Sequence, residues 1–284
     1  YNIGTTANIS QKEITGSFLA ANKVYDGTTA ATVQSGTLTG TIAGDDVNLG
    51  GTATFDTANV GTGKTVTLTG ATLTGAAAGN YSLTSVNTTT TADITALGIT
   101  EITCSFTVAD KMYDGTTAAS VQTRTLTGVL AGDVANVSLS GGTATFADAN
   151  VGLGKTVTLT GATLTGAAAG NYSLTSVNTT TANITALGIT GTFTVTASKV
   201  YDATTTATVN AGSQTLNGVL AGDAANVTLT GGTAAYINAN VGTGKVVTLT
   251  GATLTGTAAG NYSLLSVGTT TANITALGIT GNFT

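Results

Sequence analysis

Tyr25-Asp26-Gly27-Thr28-Thr29 returns as Tyr113-Asp114-Gly115-Thr116-Thr117 and again as Tyr201-Asp202-Ala203-Thr204-Thr205, each copy 88 residues after the last. The run GATLTGAAAGNYSLTSVNTTT at residues 70–90 recurs unchanged at 161–181 and in a close variant at 251–271. A period of this length exceeds the roughly 20–50 residues of a solenoid coil and suits a domain with its own core, copied in tandem. Working outward, Tyr1 to Ile9 reads as a shortened copy of Tyr172 to Ile184, and Ile279 to Thr284 matches Ile189 to Thr194. The expected organisation is therefore a closing strand of a preceding repeat at 1–12, repeats at 13–99, 100–189 and 190–277, and the opening strand of a following repeat at 278–284.

Inside a repeat the apolar residues alternate at period two. Phe193, Val195 and Ala197 oppose Thr192, Thr194 and Thr196, and Val227 and Leu229 oppose Thr228 and Thr230. Such alternation marks strands buried on one face. Of the 284 residues 68 are Thr, whose branched Cβ favours the pleated, half-exposed surface of a sheet. The phase slips at Gly161-Ala162 in KTVTLTGATLTG, where a bulge or tight turn is expected. Turn signals at Asp26-Gly27, Ala43-Gly44-Asp45-Asp46, Gly141-Gly142, Asn150-Val151-Gly152 and Ala169-Gly170-Asn171 divide each repeat into about seven or eight short strands. The expected fold is all-β, as tandem Ig-like β-sandwich domains end to end.

Composition excludes much. The chain has no His, no Trp, no Pro and a single Cys, which removes the usual zinc sites, His-based general bases and Cys–His nucleophiles. Eight Lys+Arg against 13 Asp+Glu, net −5 and spread thinly, offer nucleic acid or an anionic membrane no basic patch. No run of about 18 apolar residues marks a membrane span. Cysteine poverty fits secretion without disulfide stapling, and Cys104 stands where other repeats have Gly16, Gly191 and Gly281. The sequence starts at Tyr1 without a signal-peptide pattern, so a targeting segment is expected to have been removed or to lie outside it.

The ordered series KVYDGTT, AGD, NVGTGK and AGNYSL resembles the YDG-type repeat of large bacterial secreted adhesins and haemagglutinin-like exoproteins, over nearly the whole chain. Departures are Met112 before Tyr113, Ala203 after Asp202, and extra residues around Glu101-Ile102-Thr103. The resemblance implies stalk or fibre modules at a cell surface, extracellular or in a secreted matrix, with no catalytic residue.

Several residues are candidates for chemistry. Lys23, Lys111 and Lys199 sit three residues before Asp26, Asp114 and Asp202, while Lys64, Lys155 and Lys245 follow Asn59, Asn150 and Asn240 by five, a pattern compatible with intramolecular isopeptide bonds. The plainer reading has the Asp residues bonding backbone N–H groups in turns beside solvated lysines. Asp45, Asp46, Asp133 and Asp223 are weak Ca²⁺ candidates, sparse for an ion wanting about six to eight oxygens, and no other cofactor is expected. Tyr25, Tyr113, Tyr201, Tyr81, Tyr172 and Tyr262 are expected to anchor cores with the hydroxyl on a backbone carbonyl, in the manner of a tyrosine corner. Exposed rings would instead stack on sugars, the basis of a rival reading as a carbohydrate-binding module array. Thr ranks ordering ice are disfavoured, because the strands belong to separate twisted sheets. Asn-x-Ser/Thr triplets such as Asn80-Tyr81-Ser82 matter only if the source glycosylates.

The functional expectation is a non-enzymatic structural stalk or fibre of a bacterial adhesin or extracellular-matrix protein. It self-associates or continues covalently into more repeats, projecting toward a host or cell-surface glycan or protein. Neutral Thr-rich strands such as TVTLT and NVTLT would make sticky edges, suggesting that terminal strands complete sandwiches in neighbouring chains. Junctions such as Ile184 to Thr190 contain no Gly/Ser-rich stretch and should be semi-rigid.

Overall fold

The computed structural model describes residue 4, residues 6–99 and residues 104–282. Readings that fall on Tyr1 to Ile3, Thr5, Thr100 to Thr103 and Phe283 to Thr284 lie outside the described residues, including that on Glu101-Ile102-Thr103. The fold is all-β. The first repeat contains β1 (Lys12–Ala20), β2 (Lys23–Val24), β3 (Ala30–Ala31), β4 (Val33–Thr39), β5 (Asn48–Phe55), β6 (Gly61–Thr74), β7 (Tyr81–Val86) and β8 (Thr89–Thr95), with a 3-10 turn at Ala78–Asn80. They form a three-stranded sheet, β4-β1-β7, and a five-stranded sheet, β2-β8-β6-β5-β3. In the small sheet β1 runs antiparallel to β4 and parallel to β7. The third repeat repeats this order, with a small sheet of Thr215–Asn217, Leu187–Thr192 and Tyr262–Val267 and a five-stranded one around Gly242–Thr255.

Alternation becomes burial as read. In β6 Val66 is 0% exposed and Leu68 is buried beside Thr65, Thr67 and Thr69, and in β8 Ala92 and Ile94 point inward. The same positions are filled by Val157, Leu159, Ala182 and Ile184, and by Val247, Leu249, Ala272 and Ile274. Each fully buried Val or Ile contributes about 1.5–3 kcal/mol of transfer free energy, which repeated small cores accumulate without large aromatic residues.

The phase slip at Gly161 comes from a left-handed backbone within a continuous strand, Gly152–Thr165, where Gly161 has φ +72°. Its counterparts Gly70 and Gly251 have φ +61° and +73°. In the first repeat the pairing shifts register between Gly50 and Thr52, a bulge. In the third it passes from Gly231–Ala252 to Thr233–Thr250 without a shift, so there the glycines kink both strands together. A side chain with Cβ resists this φ, which is why glycine recurs there.

The long Thr-rich strands are not sheet edges. Thr65, Val66 and Thr67 of TVTLT pair with β8, while Val66 and Thr67 also pair with β5. The edges of that sheet are the two-residue strands β2 and β3, short enough to offer little template for another chain.

The described residues group into two compact units. One holds residues 1–105, 124–142 and 161–178, and the other holds 106–123, 143–160 and 179–284. The first repeat falls wholly in one unit and the third wholly in the other, while the middle repeat divides between them, at 105/106, 123/124, 142/143, 160/161 and 178/179. Only Ala96 separates β8 from the strand Leu97–Ile99, and only Ala186 separates Thr180–Thr185 from Leu187–Thr192. Residues linked so tightly leave no length for a flexible tether.

Candidate functional site

Four loops carry the repeated signatures, and each is held by its own local chemistry. Tyr25 leaves β2, which lies parallel to β8, and its N–H donates to the Thr95 carbonyl at 2.9 Å. The next turn is closed by Asp26 Oδ1, which accepts from both the N–H and the hydroxyl of Thr28 at 2.9 Å, and by Gly27 at φ +78°. Lys23 Nζ reaches across this turn, donating to Asp26 Oδ1 at 2.8 Å, to the Thr28 carbonyl at 2.8 Å and to the Ala30 carbonyl at 3.0 Å, with the ammonium 5.6 Å from the Phe55 ring. Lys111 does the same over Phe146, while Lys199, over Tyr236, donates to Asp202 Oδ1 at 2.7 Å and to the Thr204 carbonyl at 2.8 Å.

These lysines are not solvated. Their side chains are 17–19% exposed, and the carboxylate and carbonyls around them stabilise the ammonium. The hydrogen bond from each lysine, and those of the turn behind it, hold Asp26, Asp114 and Asp202 ionised, with pKa lowered to about 2. An isopeptide bond needs the reverse on both sides, a neutral amine and a polarised uncharged carbonyl. Lys64 and Lys155 are likewise paired with Asp56 at 2.9 Å and Asp148 at 2.6 Å, and Lys245 donates to the Asn238 carboxamide oxygen. These pairs brace the loop that presents Asn59, Asn150 and Asn240.

The tyrosine hydroxyls do something the sequence did not announce. Asp133 Oδ2 accepts from Tyr172 of its own repeat at 2.7 Å and from Tyr25 of the preceding repeat at 2.7 Å. The two rings meet edge to face, centroids 5.5 Å apart at 77°. The Tyr172 hydroxyl in turn accepts from the Leu130 N–H at 3.1 Å, which fixes the AGD turn against the ring. Beside this, Asn171 Oδ1 accepts from the Val60 N–H at 2.9 Å while its Nδ2 donates to Asn59 Oδ1 at 3.2 Å. All of these groups lie in one compact unit.

The same set recurs in the other unit. Asp223 Oδ2 accepts from Tyr262 at 2.7 Å and from Tyr113 at 2.8 Å, and the rings again meet at 5.5 Å and 77°. Asn261 accepts from the Val151 N–H at 2.9 Å and donates to Asn150 Oδ1 at 3.1 Å. Asn171 and Asn261 are each 7% exposed. Among the described residues no buried side-chain nitrogen or oxygen lacks a partner. Burial first, then the hydrogen bond to the shared Asp, pushes Tyr172 and Tyr262 up to about 12. Tyr25 is raised chiefly by the Asp133 hydrogen bond, and Tyr113 chiefly by burial.

So the YDG tyrosine and the NVG asparagine of one repeat meet the AGD aspartate and the AGNY pair of the next. The hydroxyls go to carboxylates rather than to the backbone carbonyls expected for a corner; among the described residues the tyrosine hydroxyl that does reach a carbonyl is that of Tyr236, on Asn273. Asp133 and Asp223, read from sequence as possible Ca²⁺ ligands, each bind two phenols. Among the described residues Asp45 accepts from Tyr81 alone, and Asp46 accepts from Asn48 Nδ2 and the Ala76 N–H. No group of three or more His, Cys, Asp or Glu lies together among the described residues. The sequence treats six tyrosines alike, but Tyr201 is 38% exposed where Tyr25 and Tyr113 are each 6%. Cys104 is 2% exposed, and burial raises its thiol pKa, so it packs in the core and presents no reactive surface.

The YDG domain matches three times, at residues 5–92, 99–182 and 185–272. This chain belongs to the YDG domain family. No curated protein and no solved structure matches it. In these YDG repeats the signature residues are the ones that join consecutive copies, a role that a single copy read alone would not reveal. The sequence reads Asn59 and Asn150 only as isopeptide candidates and Asn80 only within a glycosylation triplet, and misses the part of Asn59, Asn150, Asn171 and Asn261 in joining repeats. Their constant offset from the tyrosines was the available signal.

Proposed function

We propose that these YDG repeats form a structural stalk or fibre segment of a bacterial cell-surface adhesin or extracellular-matrix protein, each repeat an Ig-like β-sandwich, with no catalysis. One observation carries the reading: at both junctions the family's signature Tyr, Asp and Asn are consumed in joining one repeat to the next. Residues used this way resist bending and separation of neighbours, which is what a projecting or load-bearing array requires. One-residue links between repeats support it further.

Strand addition between chains is part of the proposal. The segment after the last strand repeats the Leu-Gly-Ile-Thr-Gly of Leu187–Thr192, and its Leu277 and Ile279 are 58% and 91% exposed. Deleting residues 278–284 is expected to abolish that mode. Placement is tested by immunogold labelling of intact source cells with antibody to the chain. Label on the surface or in the matrix is expected, and label confined to the cell interior would overturn the reading. Binding of the isolated chain on a glycan array would favour a carbohydrate-binding array instead.

A further inference from the structure

We propose that the first and last strands of each repeat form a shear clamp, by which an array serving as a stalk, as proposed above, resists being pulled along its length. In the first repeat β1 runs parallel to β7 and β2 parallel to β8, with only Ala21-Asn22 between β1 and β2 and only Asn87-Thr88 between β7 and β8. Lys12 lies opposite Tyr81, Gly16 opposite Val86, Lys23 opposite Ile94 and Val24 opposite Thr95. The offset along the chain stays between 69 and 71 residues, so the two segments run side by side throughout, even as they pass from the small sheet to the large one.

Pairing the first strands with the last in parallel has a mechanical consequence. The chain enters beside Tyr81 and leaves beyond Thr95, at opposite ends of the pair, and the next strand begins after one residue, Ala96. Tension therefore draws the two segments lengthwise past each other. The evenly spaced bonds of a parallel ladder are then loaded together. An antiparallel hairpin pulled at its open end instead loses its bonds one at a time.

Three bonds hold the pair in every repeat. The N–H groups of Asn87, Asn178 and Gly268 donate to the carbonyls of Gly16, Cys104 and Gly191 at 2.8, 2.9 and 2.8 Å. Where the pair changes sheets, the Asp93 N–H donates to Asn22 Oδ1 and the Asn183 N–H to Asp110 Oδ1, both at 2.7 Å, and the Asn273 N–H donates to the Ala197 carbonyl at 2.9 Å. At the far end the Tyr25, Tyr113 and Tyr201 N–H groups reach the Thr95, Thr185 and Thr275 carbonyls at 2.9, 2.8 and 2.8 Å. The middle acceptor changes from Asn to Asp to backbone, yet the bond is kept. Parallel pairing recurs with it, Leu97–Ile99 on Tyr172–Leu174 and Lys111–Met112 on Thr180–Thr185, then Leu187–Thr192 on Tyr262–Val267 and Ser198–Val200 on Thr270–Thr275.

Single-molecule pulling of the 284-residue chain in two directions tests this. Handles on terminal tags load it end to end. Handles on Asn48→Cys and Thr74→Cys, exposed and opposite each other in the antiparallel ladder of β5 and β6, peel that ladder instead. Cys104, 2% exposed, takes no handle. End-to-end rupture is expected at roughly twice the peeling force or more, since forced unfolding follows the barrier along the pulled direction. The combined Asn87→Pro, Asn178→Pro and Gly268→Pro variant removes one N–H from each clamp at an exposed position. It is expected to unfold roughly tenfold faster under end-to-end load and to keep the wild-type peeling force. Equal forces in the two directions would overturn the clamp, and this comparison needs no proline, so it decides even if that variant fails to fold. A folded proline variant that holds end to end like the wild type, or weakens alike in both directions, would overturn it too. Each of these results is independent of the labelling of source cells, which tests where the chain is placed.

Discussion

At the scale of the residue, an aspartate shared by two phenols is the unit of construction. A hydrogen bond to a charged acceptor is worth about 1.5–3 kcal/mol net, and Asp133 and Asp223 each accept two from tyrosine. Tyr113→Phe removes one and keeps the ring contact with Tyr262, so it is expected to cost about 1–2 kcal/mol in denaturant unfolding. Asp133→Ala should lower the melting temperature more than Asp45→Ala, since among the described residues Asp45 accepts from one phenol only. The pKa shifts give two pH windows. Asp26, Asp114 and Asp202 are depressed to about 2 from 3.8, so their contribution is present above pH 4 and is lost as pH falls toward 2. Tyr172 and Tyr262 are raised to about 12 from 10.0, so theirs is intact below pH 10 and is lost as pH climbs through 12. Melting temperatures should therefore fall at both extremes. The combined Asp26→Asn, Asp114→Asn and Asp202→Asn variant should lose the acid slope, and the Tyr172→Phe, Tyr262→Phe variant the alkaline one.

At the scale of the element, the strands were legible because Thr and aliphatic residues alternate without interruption, and burial reads the alternation directly. What the pattern hid was which strands form edges, since edge position depends on long-range pairing and not on local composition. The glycine after each long strand shows a second limit. The sequence did not single out Gly75, Gly166 and Gly256, but a Cβ on Gly166 would sit 2.2 Å from the Asn136 carbonyl oxygen, and one on Gly256 would sit 2.1 Å from that of Asn226. Gly166→Ala is therefore expected to cost about 3 kcal/mol, from left-handed backbone and backbone overlap together. Gly79→Ala, where a Cβ meets nothing within 4 Å, should be near neutral by the same unfolding assay.

At the scale of the whole molecule, each compact unit contains one complete repeat and one Tyr–Asp–Tyr junction to the divided middle repeat. Stability in such an array is a sum of repeat terms and nearest-neighbour terms, and cooperativity depends on the latter. The Asp133→Ala, Asp223→Ala double variant is expected to broaden calorimetric unfolding, its van't Hoff enthalpy falling below the calorimetric value further than in the wild type. A double variant that melts as sharply as the wild type would mean that the junctions carry little coupling.

The amino-acid sequence determined the all-β class, the threefold repetition and most of the turns, because these follow from short-range periodicity and backbone preference, although Gly141-Gly142, read as a turn, lies within the continuous strand Ser138–Phe146. It also marked Tyr25, Asp133 and Tyr172 as recurrent, but suggested core anchoring for the tyrosines and Ca²⁺ ligation for the aspartate and not their meeting. Only the tertiary structure decided that their partners lie in adjacent copies, because Tyr25 and Asp133 stand 108 residues apart along the chain and are brought to 2.7 Å by the packing of one repeat on the next. Identical copies give identical sequence signals whether a motif closes its own domain or its neighbour's, and the distinction exists only in three dimensions.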